Sequence, residues 1–329
     1  MDMLLAGLRA AAEPTRLRLL ALAARGAFCV MDFTEILGQS QPRLSRHLKL
    51  LCDCGLLDRV REGANVWFTQ PAGDSGAHNG LLGRALIAQL PSDDPVLEAD
   101  CRQAARVLAE RARIASESFR RQGADWDEMR ALDLPAQAVE AALLSLVQPH
   151  DGSGLGGGRL LDIGTGTGRV LELLAPHVRQ ALGVDASKAM LALARVRLAG
   201  PDFTHCAVRL ADMYRLPLPD RSYDIVVLQM VLHHAEDPAL VLAEAARVLR
   251  PGGRLLLIDL AAHDRQELTA RLAHRWSGFS DETVNRLFAS LGLNPTASLT
   301  ILGPLAVRIW PATGAAPVAV TTDALESAF

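Results

Sequence analysis

Residues Arg159–Gly168 combine an apolar segment with three glycines in the order R-L-L-D-I-G-T-G-T-G. Glycine lets a backbone approach a ligand closely and take turns that other residues avoid. A dinucleotide-binding loop would follow the pattern G-x-G-x-x-G, which needs glycine where this chain has Arg169. The segment therefore indicates a ligand-binding turn after a strand, outside the dinucleotide pattern.

A carboxylate follows at the end of the next predicted strand, Ala181–Asp185. A carboxylate in that place can accept hydrogen bonds from both hydroxyls of a ribose. Three more segments follow in order: Ala211–Met213, Tyr223–Gln229 and Leu249–Arg254.

With the glycine loop and Asp185, these segments resemble the class I S-adenosylmethionine-dependent methyltransferases of type 11, over about residues 125–310. The resemblance implies S-adenosyl-L-methionine or S-adenosyl-L-homocysteine as cofactor. It places Asp162 near the methionine amino group, Asp212 near the adenine amino group and Met190 against adenine. Asp162 could instead bond the loop backbone, and Met190 could belong to the core. The candidate cofactor-binding residues are Asp162, Gly164, Thr165, Gly166, Gly168, Asp185, Ala186, Met190, Asp212, Met213, Gln229 and Trp126, the last as a lid over the pocket.

The sequence indicates less clearly which residues would bind the acceptor of the methyl group. Methyl transfer from a sulfonium mainly requires alignment and exclusion of water, so no fixed catalytic pair is needed. His233 and His234, after the fourth predicted strand, are the candidate catalytic residues, since a histidine there could take a proton from an acceptor. Packing or capping a helix is an equal alternative for this pair. Further polar residues follow the fifth strand, where this fold commonly builds its substrate wall: His263, Asp264, His274, Arg275 and Trp276.

A second kind of chemistry is indicated by a basic helix near the N-terminus. Residues 41–50 contain three basic side chains and no acidic one, while Leu44, Leu48 and Leu51 form a stripe that faces a core. Arginine and lysine neutralise phosphates, and glutamine, serine and arginine read base edges. A solvated basic face on an ordinary helical subdomain is the alternative. The candidate DNA-binding residues are Gln41, Arg43, Ser45, Arg46, His47 and Lys49 in the helix, with Arg59 and Arg61 in the hairpin after it.

The order of elements around this helix favours DNA binding. Glu13–Leu20, Gln39–Leu51, Gly55–Leu57 and a predicted hairpin over Arg59–Thr69 together resemble the ArsR-type winged helix-turn-helix regulators, over about residues 4–70. The resemblance implies a homodimer on double-stranded operator DNA, because a two-fold protein reads two half-sites.

No metal site is predicted. Cys29-Val30-Met31 lacks the second thiolate of the arsenite-binding pattern found in some ArsR regulators, and one cysteine with a methionine is a poor soft-metal site. Cys52 and Cys54 diverge by about 200° around their helix, so they cannot chelate together. The cysteines are expected to be buried or idle thiols.

These features must be held by an α/β chain of two parts. We expect a winged helix-turn-helix domain over 1–72, then a linker and a connecting or dimer-forming helix over 73–121. A doubly wound, seven-stranded, Rossmann-like methyltransferase domain follows over 122–311, and a flexible tail over 312–329. Strands are predicted at 159–163, 181–185, 206–210, 223–229 and 254–260, with an antiparallel edge pair at 297–302 and 305–310.

Composition agrees with two domains in a reducing compartment. The chain has 329 residues, of which 50% are apolar, and this excludes disorder throughout. We find no signal peptide and no apolar run of the length that spans a bilayer, so a cytoplasmic protein without a membrane partner is expected. The net charge of −3 conceals a local excess of basic residues, since residues 1–70 hold nine basic and seven acidic side chains.

The leading hypothesis is a regulator whose DNA affinity responds to the cofactor. The alternative is an active small-molecule methyltransferase that uses the winged helix for dimerisation or autoregulation.

Overall fold

The computed structural model describes residues 1–62, 65–71, 78–91, 93–121, 132–147, 158–265, 267, 272 and 274–315. Trp126, the predicted lid residue, lies outside this part, as does the predicted tail from residue 316 onward. Within the described residues, no helix combines the length and the apolar character needed to cross a bilayer.

The N-terminal part builds a helical core beside a small antiparallel sheet of order β1-β3-β2. Pro42 in the first turn and Gly55 just past the end, with φ +68°, explain where the basic helix begins and ends. The elements are α1 (Asp2–Ala11), α2 (Pro14–Ala23), β1 (Phe28–Cys29), α3 (Val30–Leu37), α4 (Gln41–Asp53), β2 (Asp58–Glu62), β3 (Asn65–Thr69), α5 (His78–Ala88) and α6 (Pro95–Arg121).

Two of these elements differ from the sequence-based expectation. Helix α5 begins at His78, inside the stretch interpreted as a linker, because Leu82 and Leu86 pack on the N-terminal core and Asn79 Nδ2 donates to the backbone of Cys54 at 2.7 Å. Helix α6 lies in the segment predicted to connect the domains or form a dimer, but its Val107 and Leu108 lie in the same core. Tertiary packing thus makes both helices part of the N-terminal fold.

The C-terminal part is a mostly parallel sheet covered by apolar clusters on both faces. Its elements are α7 (Ala136–Val147), β4 (Arg159–Ile163), α8 (Arg169–Leu174), β5 (Gln180–Asp185), α9 (Lys188–Arg197), β6 (Cys206–Leu210), β7 (Tyr223–Gln229), α10 (Pro238–Val248), β8 (Leu249–Leu260), α11 (Asp281–Ser290), β9 (Leu293–Pro295), β10 (Leu299–Ile301) and β11 (Val307–Gly314). The strand order is β10-β11-β8-β7-β4-β5-β6, with β9 also paired to β11.

The predicted strands are confirmed, with three differences at their ends. The sheet has seven positions, but β9 and β10 share the edge position beside β11, so eight strands are present in the described part. The strand predicted at 254–260 begins earlier, at Leu249, and its register against β7 shifts between Tyr223 and Ile225. Strand β11 continues to Gly314, three residues into the predicted tail, because it pairs with β8 on one side and β9 on the other.

Strand direction places the functional residues. The chain runs outward from β4 through β5 to β6, then crosses back to β7 on the other side of β4. Ligands of open α/β sheets bind at the carboxyl ends of the strands where the order reverses in this way.

Candidate functional site

The carboxyl ends of β4, β5, β7 and β8 bring most of the predicted cofactor and catalytic residues to one edge of the sheet. The glycine loop follows β4, Asp185 closes β5, and His233 and His234 follow β7. Their distance along the chain is therefore no guide to their distance in the fold.

The glycine loop is shaped by contact with the segment after β7. Gly164 has φ +72°, and a side chain built on it would overlap Val231. Its amide donates to Val184 O at 2.8 Å, which ties the loop to β5. Only glycine meets both the backbone angle and the close approach.

Asp162 lies under this loop and is fully buried. Its Oδ2 accepts from the Thr165 hydroxyl at 2.6 Å, while Oδ1 has no hydrogen-bond partner among the residues that the structure describes. Burial raises the pKa of Asp162 to about 7, and the charge of Asp185 adds to the rise. A buried acceptor that lacks a donor is suited to a cationic ligand group.

Asp185 holds the far side of the loop. One carboxylate oxygen accepts from Gly166 N and the other from Ser187 N, both at 2.8 Å. Burial raises the pKa of this carboxyl as well. Each oxygen keeps a second lone pair, so the residue can still accept from ligand hydroxyls.

The structure adds Gly183, which sequence reasoning missed. A side chain at Gly183 would lie 2.6 Å from the Thr165 hydroxyl oxygen and 2.7 Å from Leu171. This glycine lets Thr165 approach β5 and reach Asp162. A glycine inside an apolar strand is the signal that could have indicated such a close contact.

The other predicted cofactor residues are distributed along the same edge. Ala186 and Asp212 are exposed, and Asp212 accepts from Tyr214 N at 3.0 Å. Met190 and Met213 are half-buried. Gln229, at the end of β7, has a side-chain oxygen with no partner in the described part of the chain.

The two candidate catalytic histidines differ in their surroundings. His233 is fully buried, and its Nδ1 lies 2.6 Å from the carboxylate of Asp259, which is buried near the end of β8. His234 is exposed. Asp259 is a second residue that the sequence did not reveal, because an acid that ends an apolar strand has many possible roles.

The basic helix α4 has the two faces that the sequence predicts. Leu44, Leu48 and Leu51 are completely buried. The opposite face exposes Gln41, Arg43, Ser45, Arg46 and Lys49, and Arg59 and Arg61 are exposed on β2.

His47 lies apart from this exposed set. It is half-buried, with Nδ1 3.4 Å from an Arg16 guanidinium nitrogen and 3.8 Å from the Glu13 carboxylate. Burial lowers the pKa of His47 despite the neighbouring carboxylate. These contacts hold α4 against α2, which is a positioning role.

The two cysteines near the end of α4 pack against the N-terminal core. Burial raises the pKa of Cys52 to about 11, so its thiolate form is disfavoured. Cys54, at the end of the same helix, is half-buried.

Two parts of the chain match the models of known protein families. The profile described as "Methyltransferase domain" matches residues 161–257. The profile described as "Bacterial regulatory protein, arsR family" matches residues 13–59. The chain therefore resembles ArsR-type regulators over residues 13–59 and a methyltransferase domain over residues 161–257.

Individual relatives match only part of the chain. It is 36% identical over 101 residues to the uncharacterized methyltransferase YcgJ of Bacillus subtilis, covering 31% of this chain and 40% of that protein. It is 35% identical over 109 residues to a ubiquinone/menaquinone biosynthesis C-methyltransferase of Geobacter sulfurreducens, covering 32% and 43%. The solved structure of YcgJ matches 55% of this chain and 100% of its own at 19% identity, with a TM-score of 0.47. The chain spans between 36% and 54% of the length of the curated relatives it matches.

The match to a methyltransferase domain implies S-adenosyl-L-methionine as cofactor, and the residues present fit it. The partnerless Oδ1 of buried Asp162 suits the methionine ammonium group, and the carboxylate of Asp185 suits the ribose hydroxyls. When bound, the cofactor supplies an electrophilic methyl group. Asp162 and Asp185 would hold the cofactor, and Val231 lies against the glycine loop at Gly164.

Proposed function

We propose that this protein is a DNA-binding transcriptional regulator whose affinity for its operator changes with bound S-adenosylmethionine or S-adenosylhomocysteine. The observation that carries the proposal is a buried ion pair between the two domains. Glu62 at the end of β2 and Arg195 in α9 approach to 2.6 Å, with only 5% and 4% of their side chains exposed. Glu62 also accepts from Leu210 N at 3.0 Å.

The pair connects the cofactor edge to the DNA-binding part through one short helix. Ser187 caps the start of α9 and donates its amide to Asp185, which is the proposed ribose ligand. Eight residues further along α9, the Arg195 guanidinium lies 4.1 Å from the ring of Trp67 in β3. A ligand shifts a conformational equilibrium only if it binds one conformation better than the other. Because α9 contacts the cofactor edge at its start and the DNA-binding part near its end, it is the candidate for the element that moves between two conformations.

The N-terminal surface supports a homodimer on DNA. Helix α1 exposes apolar side chains, and Leu81 of the neighbouring α5 is also exposed. An apolar stripe of this kind suits a second copy of the chain, and two copies would present two α4 helices to two half-sites. The exposed large apolar side chains here are those of Met1, at the N-cap of α1, and of Met3, Leu4, Leu5 and Leu8 within the helix. We also propose a cytoplasmic location, because the matched family is one of bacterial regulators and bacterial DNA lies in the cytoplasm.

The test is a titration of a fluorescent duplex selected from a random-sequence pool by the full-length protein. We expect the operator affinity to change when S-adenosylmethionine or S-adenosylhomocysteine is saturating, and to stay unchanged with ATP, which has adenine and ribose but no methionine part. Light scattering should give the mass of two chains. Equal affinity with and without both cofactors would contradict the regulatory proposal.

A second candidate function is methylation of a small molecule, with the winged helix serving dimerisation or autoregulation. Exposed His234 beside buried His233 favours it, since an exposed imidazole at this edge can take a proton from an acceptor. The quinone C-methyltransferases among the relatives indicate phenol-like acceptors as the first to try. Formation of S-adenosylhomocysteine that depends on an acceptor would support this function. Tight cofactor binding without turnover across a broad acceptor set would favour the regulator alone.

A further inference from the structure

Three histidines converge beside the cofactor edge from two distant segments of the chain. His233 and His234 follow β7, and His274 follows β8. One ring nitrogen from each can be chosen so that all three nitrogens lie within 4.8 Å of one another. The ring centroids are 4.2 Å apart for His233 and His234, 4.3 Å for His233 and His274, and 5.1 Å for His234 and His274.

We propose that His233, His234 and His274 form a binding site for a divalent transition-metal ion of the zinc type. The proposal goes beyond both functions above, because metal binding requires neither DNA nor a methyl donor.

The first argument is the way His233 is held. Asp259 is completely buried, and besides Nδ1 of His233 its carboxylate accepts from the amides of Leu232 at 3.0 Å and Leu260 at 2.7 Å. A carboxylate so surrounded accepts from the Nδ1 proton, which leaves the ring lone pair on Nε2. A histidine that ligates a metal characteristically donates its other ring N–H to a carboxylate in this way, which fixes the tautomer and the ring orientation.

The second argument is the way His274 is brought to this pair. The amides of Arg275 and Trp276 donate to His233 O at 3.0 and 3.1 Å. The indole Nε1 of Trp276 donates to Ala235 O at 2.8 Å. These bonds fasten the segment after β8 onto the segment after β7, so the third imidazole is positioned by the backbone rather than by chance packing.

The third argument is the donor set. Imidazole nitrogen suits zinc, cobalt, nickel and copper, whereas magnesium and calcium prefer oxygen. Zinc–nitrogen distances of about 2.0–2.1 Å put tetrahedral donors roughly 3.3 Å apart, so nitrogens that lie within 4.8 Å of one another must approach by at most about 1.5 Å. His234 is the exposed member of the three, so we assign the movement to its ring. Three protein ligands leave a fourth position for water or for an oxygen or sulfur atom of a ligand.

The test uses the full-length protein, stripped with a chelator and titrated with Co²⁺, whose tetrahedral complexes absorb visible light. We expect one equivalent to bind with visible bands, and Zn²⁺ to displace it. His234→Ala should weaken Co²⁺ binding by about tenfold or more, since even residues that only orient a ligand contribute about 10–100-fold. His205→Asn is the matched control, because His205 lies elsewhere in the domain and contacts Ala175 O at 2.9 Å.

Two results would overturn the metal site: no stoichiometric uptake by the wild-type protein, or equal uptake by His234→Ala. A loss of uptake that His205→Asn reproduces would also overturn it. Thermal unfolding and S-adenosylhomocysteine binding of His234→Ala should match the wild type, which separates loss of the metal from loss of the fold. Failure of the metal site would leave the regulatory and methyltransferase proposals standing.

Discussion

Asp162 illustrates how a buried carboxylate can be used for binding at a cost to folding. Burial holds its pKa at about 7, against an ordinary value of 3.8. The pKa of Asp162 is higher in the folded protein than in the unfolded chain. This carboxyl therefore favours folding most at low pH, where it is protonated. That contribution is lost as the pH rises from about 4 through about 7. A cationic ligand that binds the ionised form offsets this cost.

We therefore expect the affinity for S-adenosylhomocysteine to fall as the pH is lowered from 8 to 6, because protonation removes the partner of its ammonium group. Asp162→Asn should bind more weakly at pH 8 and show a flatter pH dependence. Isothermal titration calorimetry at several pH values measures both effects. Asp220→Asn, at an exposed aspartate, is the control and should behave as wild type. An unchanged pH profile in Asp162→Asn would assign the dependence to another group.

At the scale of elements, helix α4 separates its two tasks by face. The buried leucines attach it to the core, and the exposed arginines and lysine carry the charge. The Nζ atom of Lys49 lies 2.5 Å from the carboxylate of Asp53, one turn along the helix. This carboxylate neutralises part of the lysine's charge. Arg43 and Arg46 are therefore the more informative positions for DNA binding.

We expect Arg43→Ala with Arg46→Ala to weaken operator binding and to reduce the slope of log affinity against log salt by about 1 for each phosphate that the variant no longer neutralises. The control is Arg286→Ala, which removes one arginine charge from an exposed helix of the other domain. It should leave both quantities unchanged. Anisotropy titrations at several salt concentrations are the measurement. Loss of binding in all variants alike would indicate a general charge effect instead of a recognition helix.

At the scale of the whole molecule, the two domains share more than a linker. Beyond the Glu62–Arg195 pair, Gly200 N donates to Arg25 O at 3.0 Å, and Val196 and Ala199 pack against the N-terminal core. Removing one partner of a buried ion pair costs about 3–5 kcal/mol, because the other charge stays buried and unpaired. Here that cost falls on the interface between the domains.

We expect the wild-type protein to unfold in one calorimetric transition and Glu62→Gln to split it into two, as the domains lose their connection. The double variant Glu62→Gln with Arg195→Met should be more stable than Glu62→Gln alone, since it leaves no unpaired charge. Glu282→Gln breaks an exposed pair with Arg286 and should change stability by about 0–1 kcal/mol. A single unchanged transition in Glu62→Gln would show that the pair does not couple the domains.

Features specified by neighbouring residues were predictable from the sequence. The glycine loop, the basic helix and the central strands each depend on local backbone preference or on side-chain period, so their positions in the chain could be inferred. The ends of β8 and β11 and the start of α5 were not predictable, because pairing and packing with distant segments decide them.

The sequence by itself predicted that a part resembling the ArsR-type helix-turn-helix precedes a part resembling a methyltransferase domain, and the family models match both parts. It also determined which residues form the glycine loop and the basic helix. Only the tertiary structure decided that His274 and Asp259 join His233, that Gly183 makes room for Thr165, and that Glu62 of β2 meets Arg195. The physical reason is the same in each case. These contacts join side chains far apart in the chain, and only the crossing of strands and the burial of helices bring them within bonding distance.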